Sequence, residues 1–386
     1  MWETIKGFLR RHRRKFFITG AVVGGVYLLS RYARWRLAEW QRQQEMEYVE
    51  QARKQHHFES NQRTCTITLF SLVPNLRDAL MEKLNCEAIT GKLRERPSNK
   101  LELWEQLKVL SFTRTIASVY SSCMLFVFLR VQLNIIGGYL YLDSLTMTGE
   151  ASNGKNGKKV HIAEGLQKRY LAVVRYLMGD GLDFLIEEIR RTVEDILGEI
   201  SLKEKFSLEE LTRLIKHIRQ SMEFPNHSVP INGKLKDASN QPTKNGHHMR
   251  PLTKFMLPTD VESLCDTVGK EGDDNFKNLI GETLDILESE DCLFVLKMCL
   301  DAGFAHVMHN MIPFFQAEEL ELGAVGGIEL ESTLDLPLAK IIPIINGQIN
   351  HVLCDSDNNY FQDLFKVGSA RDFAANIYEA FSFELD

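Results

Sequence analysis

Residues 100–130 read KLELWEQLKVLSFTRTIASVYSSCMLFVFLR, a run of 31 residues that contains neither glycine nor proline. At about 1.5 Å per residue, such a run predicts one continuous helix about 45 Å long. Pro97-Ser98-Asn99 stands directly before it, and Asn99 with Glu102 forms a plausible capping pair for its first turn. The run therefore predicts the central helix of an all-α protein.

The second half of that run, Thr115–Leu129, contains 15 residues and no charge. Its composition leaves two interpretations open, a second membrane span and the core helix of a soluble bundle. Three serines lie within it and Arg114 and Arg130 flank it, which suits a bundle interior better. We therefore expect this segment to form the buried centre of the bundle.

The rest of the chain shows helical periodicity and little strand alternation. Helical patterns cover residues 64–90 (interrupted by Pro74), 161–222, 259–313, 337–354 and 359–383. Loops are predicted at 149–159 and 322–334. The stretch 224–258 contains five prolines and little apolar content, which is typical of a linker. It could divide two domains, but we expect one large helical bundle over 61–386, with 224–258 as a long flexible loop.

Charge is unevenly distributed along the chain. Residues 1–60 hold 12 Lys or Arg and 6 Asp or Glu, whereas the remainder carries a net charge of −12. A basic head on an acidic body indicates a membrane or targeting segment joined to a soluble domain. The seven cysteines include no C-x-x-C pair, which favours free thiols in a reducing compartment.

The amino-terminal segment has the pattern of a membrane anchor. A basic cluster at Arg10–Lys15 runs into an uncharged stretch from Phe16 to Ser30. This is short for a bilayer core of about 30 Å, but flanking basic side chains can snorkel. We interpret residues 1–15 as a basic targeting segment, 16–33 as a transmembrane anchor and 34–60 as an exposed helical stalk.

Three other interpretations of this segment fit less well. A cleaved secretory signal would need small residues after the apolar stretch, where Arg31–Arg34 stands instead. A mitochondrial presequence would lack a continuous apolar run. A buried core helix should not begin with a cluster of cations. Both flanks of the anchor are basic, so the positive-inside rule favours a cytosolic amino terminus only weakly.

Motifs for catalysis and cofactor binding are missing. No P-loop, GxGxxG, HExxH, GxSxG or EF-hand motif occurs. His306 and His309 could share a helix face, but a metal site would need further ligands, and Asp301 alone is weak support. The sequence therefore predicts a protein that is not an enzyme, has no cofactor or metal, and binds neither nucleic acid nor a small-molecule substrate.

Trp104 is the strongest candidate for a binding residue. Three leucines, at positions 103, 107 and 110, cluster on one face of the central helix, and Trp104 lies about 90° from their centre. Lys100 and Lys108 flank it at i−4 and i+4. An exposed tryptophan beside cations is a usual anchor for a partner helix with acidic and apolar residues.

The surroundings of Trp104 leave one alternative open. Upstream, Leu93, Arg94 and Pro97 could complete the rim of a partner site. Alternatively, Trp104 caps the edge of the core and leaves its indole N–H in water.

Long blocks of the sequence resemble the family of peroxisomal biogenesis factor 3, the third peroxin. In chain order they are 10–29 (RRHRRKFFITGAVVGGVYLL), 48–65 (YVEQARKQHHFESNQRTC), 96–112 (RPSNKLELWEQLKVLSF), 129–143 (LRVQLNIIGGYLYLD), 336–349 (LPLAKIIPIINGQI) and 372–382 (DFAANIYEAFS). The resemblance covers nearly the whole chain, and its departures fall at 144–160, 224–258 and 318–334.

This resemblance implies a single-pass protein of the peroxisomal membrane whose bulk is a cytosolic helical bundle. It implies a docking factor for the soluble receptor and chaperone of peroxisomal membrane proteins, the nineteenth peroxin, so that cargo can insert. That partner presents an amphipathic amino-terminal helix to a groove in the bundle. An alternative function is a membrane-anchored tether that recruits autophagy or organelle-inheritance factors.

The resemblance also implies which residues form the site. The key tryptophan of the family corresponds to Trp104. Matching rim residues are Leu93, Pro97, Lys100 and Leu101. Arg94 stands where a lysine is usual, which keeps the charge but changes the geometry of the donor group.

Overall fold

The computed structural model describes residues 2–147, 162–224, 249–258, 270–316, 334–354 and 359–383, with the backbone alone for 2–23, 147 and 270–273. The chain forms two compact units, Met1–Ser60 and Asn61–Asp386. Among the described residues the fold is helical, apart from one pair of two-residue strands.

The first unit is helical throughout its described length. Its helix, α1, begins at Trp2 and ends at Lys83. From residue 24 onward most side chains of this unit are exposed, including the aromatic rings of Trp35, Trp40 and Tyr48. The predicted anchor at 16–33 lies on this helix, but the side chains up to residue 23 fall outside the described part. The anchor therefore stays a prediction.

The second unit contains the last part of α1 and all the other elements. The helices that precede the first strand are α2 (Cys86–Arg94), α3 (Lys100–Met147), α4 (Glu164–Ala172), α5 (Val174–Met178) and α6 (Asp180–Leu197). Those that follow it are α7 (Leu208–Glu223), α8 (Lys270–Glu288), α9 (Glu290–Phe315), α10 (Leu338–Gly347), α11 (Ile349–Val352), α12 (Asn359–Phe365) and α13 (Gly368–Phe381).

Helix α3 is the centre of the bundle. Every side chain from Ser111 to Leu129 is buried, and α2, α6, α9, α10 and α13 all pack against this helix. By length and hydropathy both α3 and α9 could cross a membrane, but 89% of the apolar window of α3 is buried inside the protein. The interpretation of Thr115–Leu129 as a core helix agrees with this burial.

Two other expectations about helix boundaries are settled by the structure. The side-chain amide of Asn99 donates to the Glu102 carboxylate at 3.4 Å, so the predicted pair meets, although through side chains rather than through backbone N–H groups. Pro74, by contrast, does not interrupt the helix around it, because α1 continues through it to Lys83. A proline removes one backbone donor, and the buried apolar contacts of Leu69, Val73 and Leu76 hold this part of the helix in place.

A short β-pair ties the middle of the chain to its end. Strand β1 (Lys205–Phe206) pairs antiparallel with β2 (Leu336–Pro337), with Phe206 opposite Leu336. Directly after β2, the N–H of Leu338 donates to the Glu204 carbonyl at 2.8 Å. These bonds fix the position at which α10 begins.

The prediction of a flexible loop at 224–258 is wrong for its last ten residues. Residues 225–248 lie outside the described part, but 249–258 pack against the core and include a 3₁₀ turn at Thr253–Phe255. Phe255 is fully buried, and the cations Arg250 and Lys254 both bind the Glu188 carboxylate on α6. The many prolines and polar residues upstream concealed this short apolar segment. The loop predicted at 149–159 also lies outside the described residues, as does the loop predicted at 322–334 except for its last residue.

Candidate functional site

Helix α2 forms the first wall of the site. Its amino terminus is capped by Asn85, whose side-chain oxygen accepts from the N–H of Ala88 at 2.8 Å. Cys86 on the inner face is fully buried, with its sulfur 3.9 Å from the Ser111 hydroxyl. Burial raises the pKa of the Cys86 thiol, which disfavours the reactive thiolate, and its buried side chain packs in the core of the site.

A tight turn joins α2 to α3. Arg96 adopts a φ of 54°, in the left-handed region that non-glycine residues seldom occupy. Pro97 follows it and is half-buried. The chain thus reverses direction within five residues, and the carboxyl end of α2 comes beside the first turns of α3.

Helix α10 forms the other wall, more than 230 residues further along the chain. The Thr115 hydroxyl on α3 donates to the Ile345 carbonyl at 2.6 Å. Ile342 packs in a small apolar cluster with Cys86 and Leu107, to which Leu93 and Trp104 also belong. Residues from all three helices are therefore held together by one core, which explains why the walls keep their spacing.

A single guanidinium joins the three helices beneath the site. Arg114 is buried and donates to both carboxylate oxygens of Glu87, at 2.8 and 2.9 Å, and to the Asn346 carbonyl at 3.3 Å. These charge-assisted bonds lower the pKa of Glu87. The interaction connects α3 to α2 on one side and to α10 on the other.

A groove of about 370 Å³, open to solvent, lies between the three helices. Its apolar lining residues are Leu93, Trp104, Leu107, Ile342 and Pro343, and its polar ones are Thr90, Arg94, Lys100, Ser111 and Asn346. The cations Arg94 and Lys100 are exposed. The groove is thus apolar along its walls and positively charged at its edge, an arrangement that suits an amphipathic helix with acidic residues beside its apolar face.

The structure brings together four of the residues singled out in the sequence. Leu93, Arg94, Lys100 and Trp104 all line the groove, and Trp104 is half-buried within it. Two others lie beside the groove and do not line it. Leu101 is 71% exposed, and Pro97 sits in the turn between α2 and α3.

The expectation for Lys108 is wrong. Its side chain is 1% exposed, and its ammonium donates to the Ile200 carbonyl at 2.9 Å and pairs with Glu105 at 2.5 Å. The segment that follows α6 covers this turn of α3 and encloses the lysine, which a helical wheel of α3 alone cannot show. Lys108 is therefore a structural cation and not part of the exposed rim.

Sequence reasoning missed the α10 wall. Ile342, Pro343 and Asn346 line the groove, but nothing in the local pattern of 338–347 indicates which helix it will face. The available signal was the unusual block LPLAKIIPIINGQI, which contains all three residues. The length of this block indicates that it is unusual, but it does not indicate that the block belongs to the site.

The described residues contain no group of three or more side chains that could hold a metal ion. His306, one of the two histidines considered in the sequence, instead contacts Asp363 on α12 through its Nδ1 atom at 2.8 Å. The same carboxylate also binds Lys366 at 2.8 Å. This histidine therefore joins α9 to α12.

Comparison with known proteins finds relatives over nearly the whole chain. The Peroxin-3 family model matches residues 7–99 and 95–380. The chain belongs to the Peroxin-3 family. Peroxisomal biogenesis factor 3 of Rattus norvegicus is 45% identical over 382 residues, which cover 99% of this chain and 98% of that protein. The Homo sapiens protein of the same name is 44% identical over 385 residues, with the same coverage.

The family extends to more distant relatives. Peroxisome biogenesis protein 3-1 of Arabidopsis thaliana is 27% identical over 381 residues and covers 94% of this chain. Membership of the Peroxin-3 family supports a role in peroxisome biogenesis and a place at the peroxisomal membrane. The family names indicate a biogenesis factor and not an enzyme. The family predicted from the sequence blocks is therefore confirmed.

Proposed function

We propose that this Peroxin-3 family member is a docking factor that receives the amphipathic amino-terminal helix of the nineteenth peroxin, the soluble receptor for peroxisomal membrane proteins. The groove between α2, α3 and α10 is the docking site. The observation that carries the proposal is the half-buried ring of Trp104, set among aliphatic side chains from all three helices.

The apolar lining supplies most of the binding free energy. Trp104, Leu93 and Pro343 all line the groove, and apart from the indole N–H their side chains cannot hydrogen-bond to water. Burial of large apolar side chains contributes about 1.5–3 kcal/mol each. A partner helix with leucine or phenylalanine at i, i+3 or i+4 would therefore gain several kcal/mol from the groove.

The charges at the edge select the partner and its orientation. Arg94 and Lys100 are exposed cations at one end of the groove, although the chain as a whole has a net charge of −6. Complementary charges at an interface rim act on association rate and specificity more than on affinity. The groove thus favours an acidic amphipathic helix, which the total charge of the protein would not suggest.

The proposal includes the topology of the protein. Residues 16–33 would anchor the chain in the peroxisomal membrane as a single span, with the bundle in the cytosol where a soluble receptor can reach it. The uncharged stretch between basic flanks and the exposed helix at 34–60 support a single span. The resemblance to the family favours a cytosolic bundle, against the weak preference of the positive-inside rule.

Trp104→Ala tests the docking site. The full chain in detergent micelles is titrated with a peptide of the receptor's amino-terminal helix, and we expect at least tenfold weaker binding, about 1.4 kcal/mol. Trp40→Ala, at an exposed tryptophan of α1, is the matched control and should bind as the wild type does. Unchanged affinity of the Trp104 variant, at unchanged helicity, would exclude the groove as the docking site.

A further inference from the structure

The turn between α2 and α3 carries a concentration of exposed cations. Arg94, Arg96 and Lys100 lie within seven residues of one another, and all three are exposed. Within the described part of the chain none of their side chains forms an ion pair. Arg94 and Lys100 also line the groove. The turn therefore presents three exposed cations to an external anion, and two of them belong to the lining of the groove.

Ser98 lies in the middle of this cluster. It is exposed, in the turn that precedes α3, and its hydroxyl bonds to none of the described residues. Along the chain, Arg96 is at its −2 position and Arg94 at its −4 position. The left-handed conformation of Arg96 and the ring of Pro97 keep this turn out of both helices. An accessible hydroxyl on a non-helical segment thus follows Arg96 of the same segment and Arg94, the last residue of α2.

We propose that Ser98 is a phosphorylation site for an arginine-directed protein kinase, and that its phosphorylation weakens docking at the groove. The second half of the proposal rests on the proposed function. Arginine presents a planar, bidentate donor that pairs with carboxylates, so arginines upstream of a hydroxyl match a kinase whose substrate cleft is acidic. Arg94 and Arg96 supply those contacts before the phosphate is present.

The reaction is a phosphoryl transfer from ATP. The Ser98 Oγ forms a bond to the γ-phosphorus while the bond from that phosphorus to the β–γ bridging oxygen breaks. The hydroxyl proton passes to the catalytic base of the kinase, and ADP leaves. No oxidation or reduction takes place, and the nucleotide supplies the whole transferred group.

A phosphate at this position would neutralise about half or more of the positive charge of the three cations. A phosphoserine carries a charge of about −1.5 to −2 at pH 7 and accepts strong hydrogen bonds from arginine and lysine. It would pair with Arg94, Arg96 and Lys100, and its charge is also favourable beside the amino terminus of α3. The cations that attract an acidic helix would then be occupied, and the combined charge of the three cations and the phosphate would fall to about +1 to +1.5, which weakens the attraction for that helix.

The first test is modification of the full chain in detergent micelles. Wild type and Ser98→Ala are incubated with the catalytic subunit of an arginine-directed serine/threonine kinase and ATP, and the modified peptide is identified by mass spectrometry. We expect phosphate on Ser98 in the wild type and its loss in the variant. Absence of phosphate on Ser98 after exhaustive incubation overturns the proposal.

The second test measures docking with the same amphipathic receptor peptide. We expect Ser98→Asp to bind about tenfold more weakly than wild type at 50 mM salt, whereas Ser98→Asn, which has the same shape without the charge, binds as wild type does. The difference should shrink at 500 mM salt, because screening shortens the range of surface charges. Equal affinity of the Asp and Asn variants overturns the regulatory half of the proposal.

The two proposals fail in distinguishable ways. If the peptide binds wild type, loses affinity with Trp104→Ala and is insensitive to phosphate on Ser98, docking stands and its regulation falls. If Trp104→Ala has no effect while phosphate still enters Ser98, the modification site stands and the docking groove falls.

Discussion

The guanidinium of Arg114 and the carboxylate of Glu87 form a bidentate pair, with N–O distances of 2.8 and 2.9 Å. The arginine is buried in α3, whereas the glutamate stands on α2 with its side chain 54% exposed. Since Arg114 also binds the Asn346 carbonyl of α10, the pair fixes both walls of the groove from below.

Glu87→Gln should therefore loosen α2. We expect the free energy of unfolding to fall by about 1 kcal/mol, less than a fully buried charged bond would give, because solvent screens the exposed glutamate. Receptor-peptide affinity should fall as well. Glu95→Gln, at the exposed glutamate that caps the carboxyl end of α2, is the control for the effect of charge loss on stability. Equal denaturation midpoints for the two variants would contradict the role of the pair.

The same pair predicts a pH dependence of stability. Hydrogen bonds from Arg114 lower the pKa of Glu87 below its ordinary value of 4.5. A carboxylate whose pKa is lowered on folding stabilises the protein fully above its unfolded pKa and loses that contribution as pH falls through the folded one. The stability difference between wild type and Glu87→Gln should thus be constant at neutral pH and shrink below pH 4.5. Denaturant titrations at several pH values measure it.

The two lysines flanking Trp104 should behave differently. Lys100→Met removes an exposed cation, so we expect a few-fold loss of peptide affinity that disappears at high salt, with unchanged stability. Lys108→Met leaves the Ile200 carbonyl without its donor, so the free energy of unfolding should fall by about 1–3 kcal/mol. Calorimetry and peptide titration of both variants separate the effects. Equal effects of the two substitutions on affinity would contradict the burial of Lys108.

Two glycines offer a matched test of packing around α9. A Cβ on Gly303 would lie 2.7 Å from the Tyr360 hydroxyl, which bonds to Ser122 and is fully buried. Gly303→Ala should destabilise the protein by about 1–3 kcal/mol. Gly281→Ala on α8 meets nothing within 4 Å and should stabilise it by about 0.5–1 kcal/mol. Thermal melts that shift in the same direction for both variants would be inconsistent with this packing.

The thiols should react in an order set by burial. Burial raises the pKa of Cys65, Cys123 and Cys292 to about 12, so almost no thiolate forms at pH 8. Cys354 is partly exposed. We expect iodoacetamide to modify Cys354 well before these three in the native protein, and mass spectrometry at timed intervals follows the order. Early modification of Cys123 would mean that the bundle opens around α3.

The sequence predicts helices and burial well where the signal is local. The uncharged stretch Thr115–Leu129 alone fits a membrane span or a core helix, but its three serines and the flanking Arg114 and Arg130 favour the core helix, and the burial of α3 agrees with it. Lys108 fails for the opposite reason, because the carbonyl that covers it comes from Ile200, 92 residues away. The sequence reasoning about residues 249–258 and about the α10 wall fails for the same reason. Their positions depend on long-range packing, which helical periodicity does not encode.

The positions of the groove residues along the chain determine when the groove can form during synthesis. Trp104 emerges from the ribosome early, whereas Ile342 and Pro343 follow some 240 residues later. At about 5–20 residues per second, the second wall arrives about 12–48 seconds after the first. Throughout that interval the nascent chain contains Trp104 but not α10, the helix that completes the groove. A transcript truncated before codon 338 would therefore yield a protein with the amino-terminal segment and with two of the three helices that line the groove.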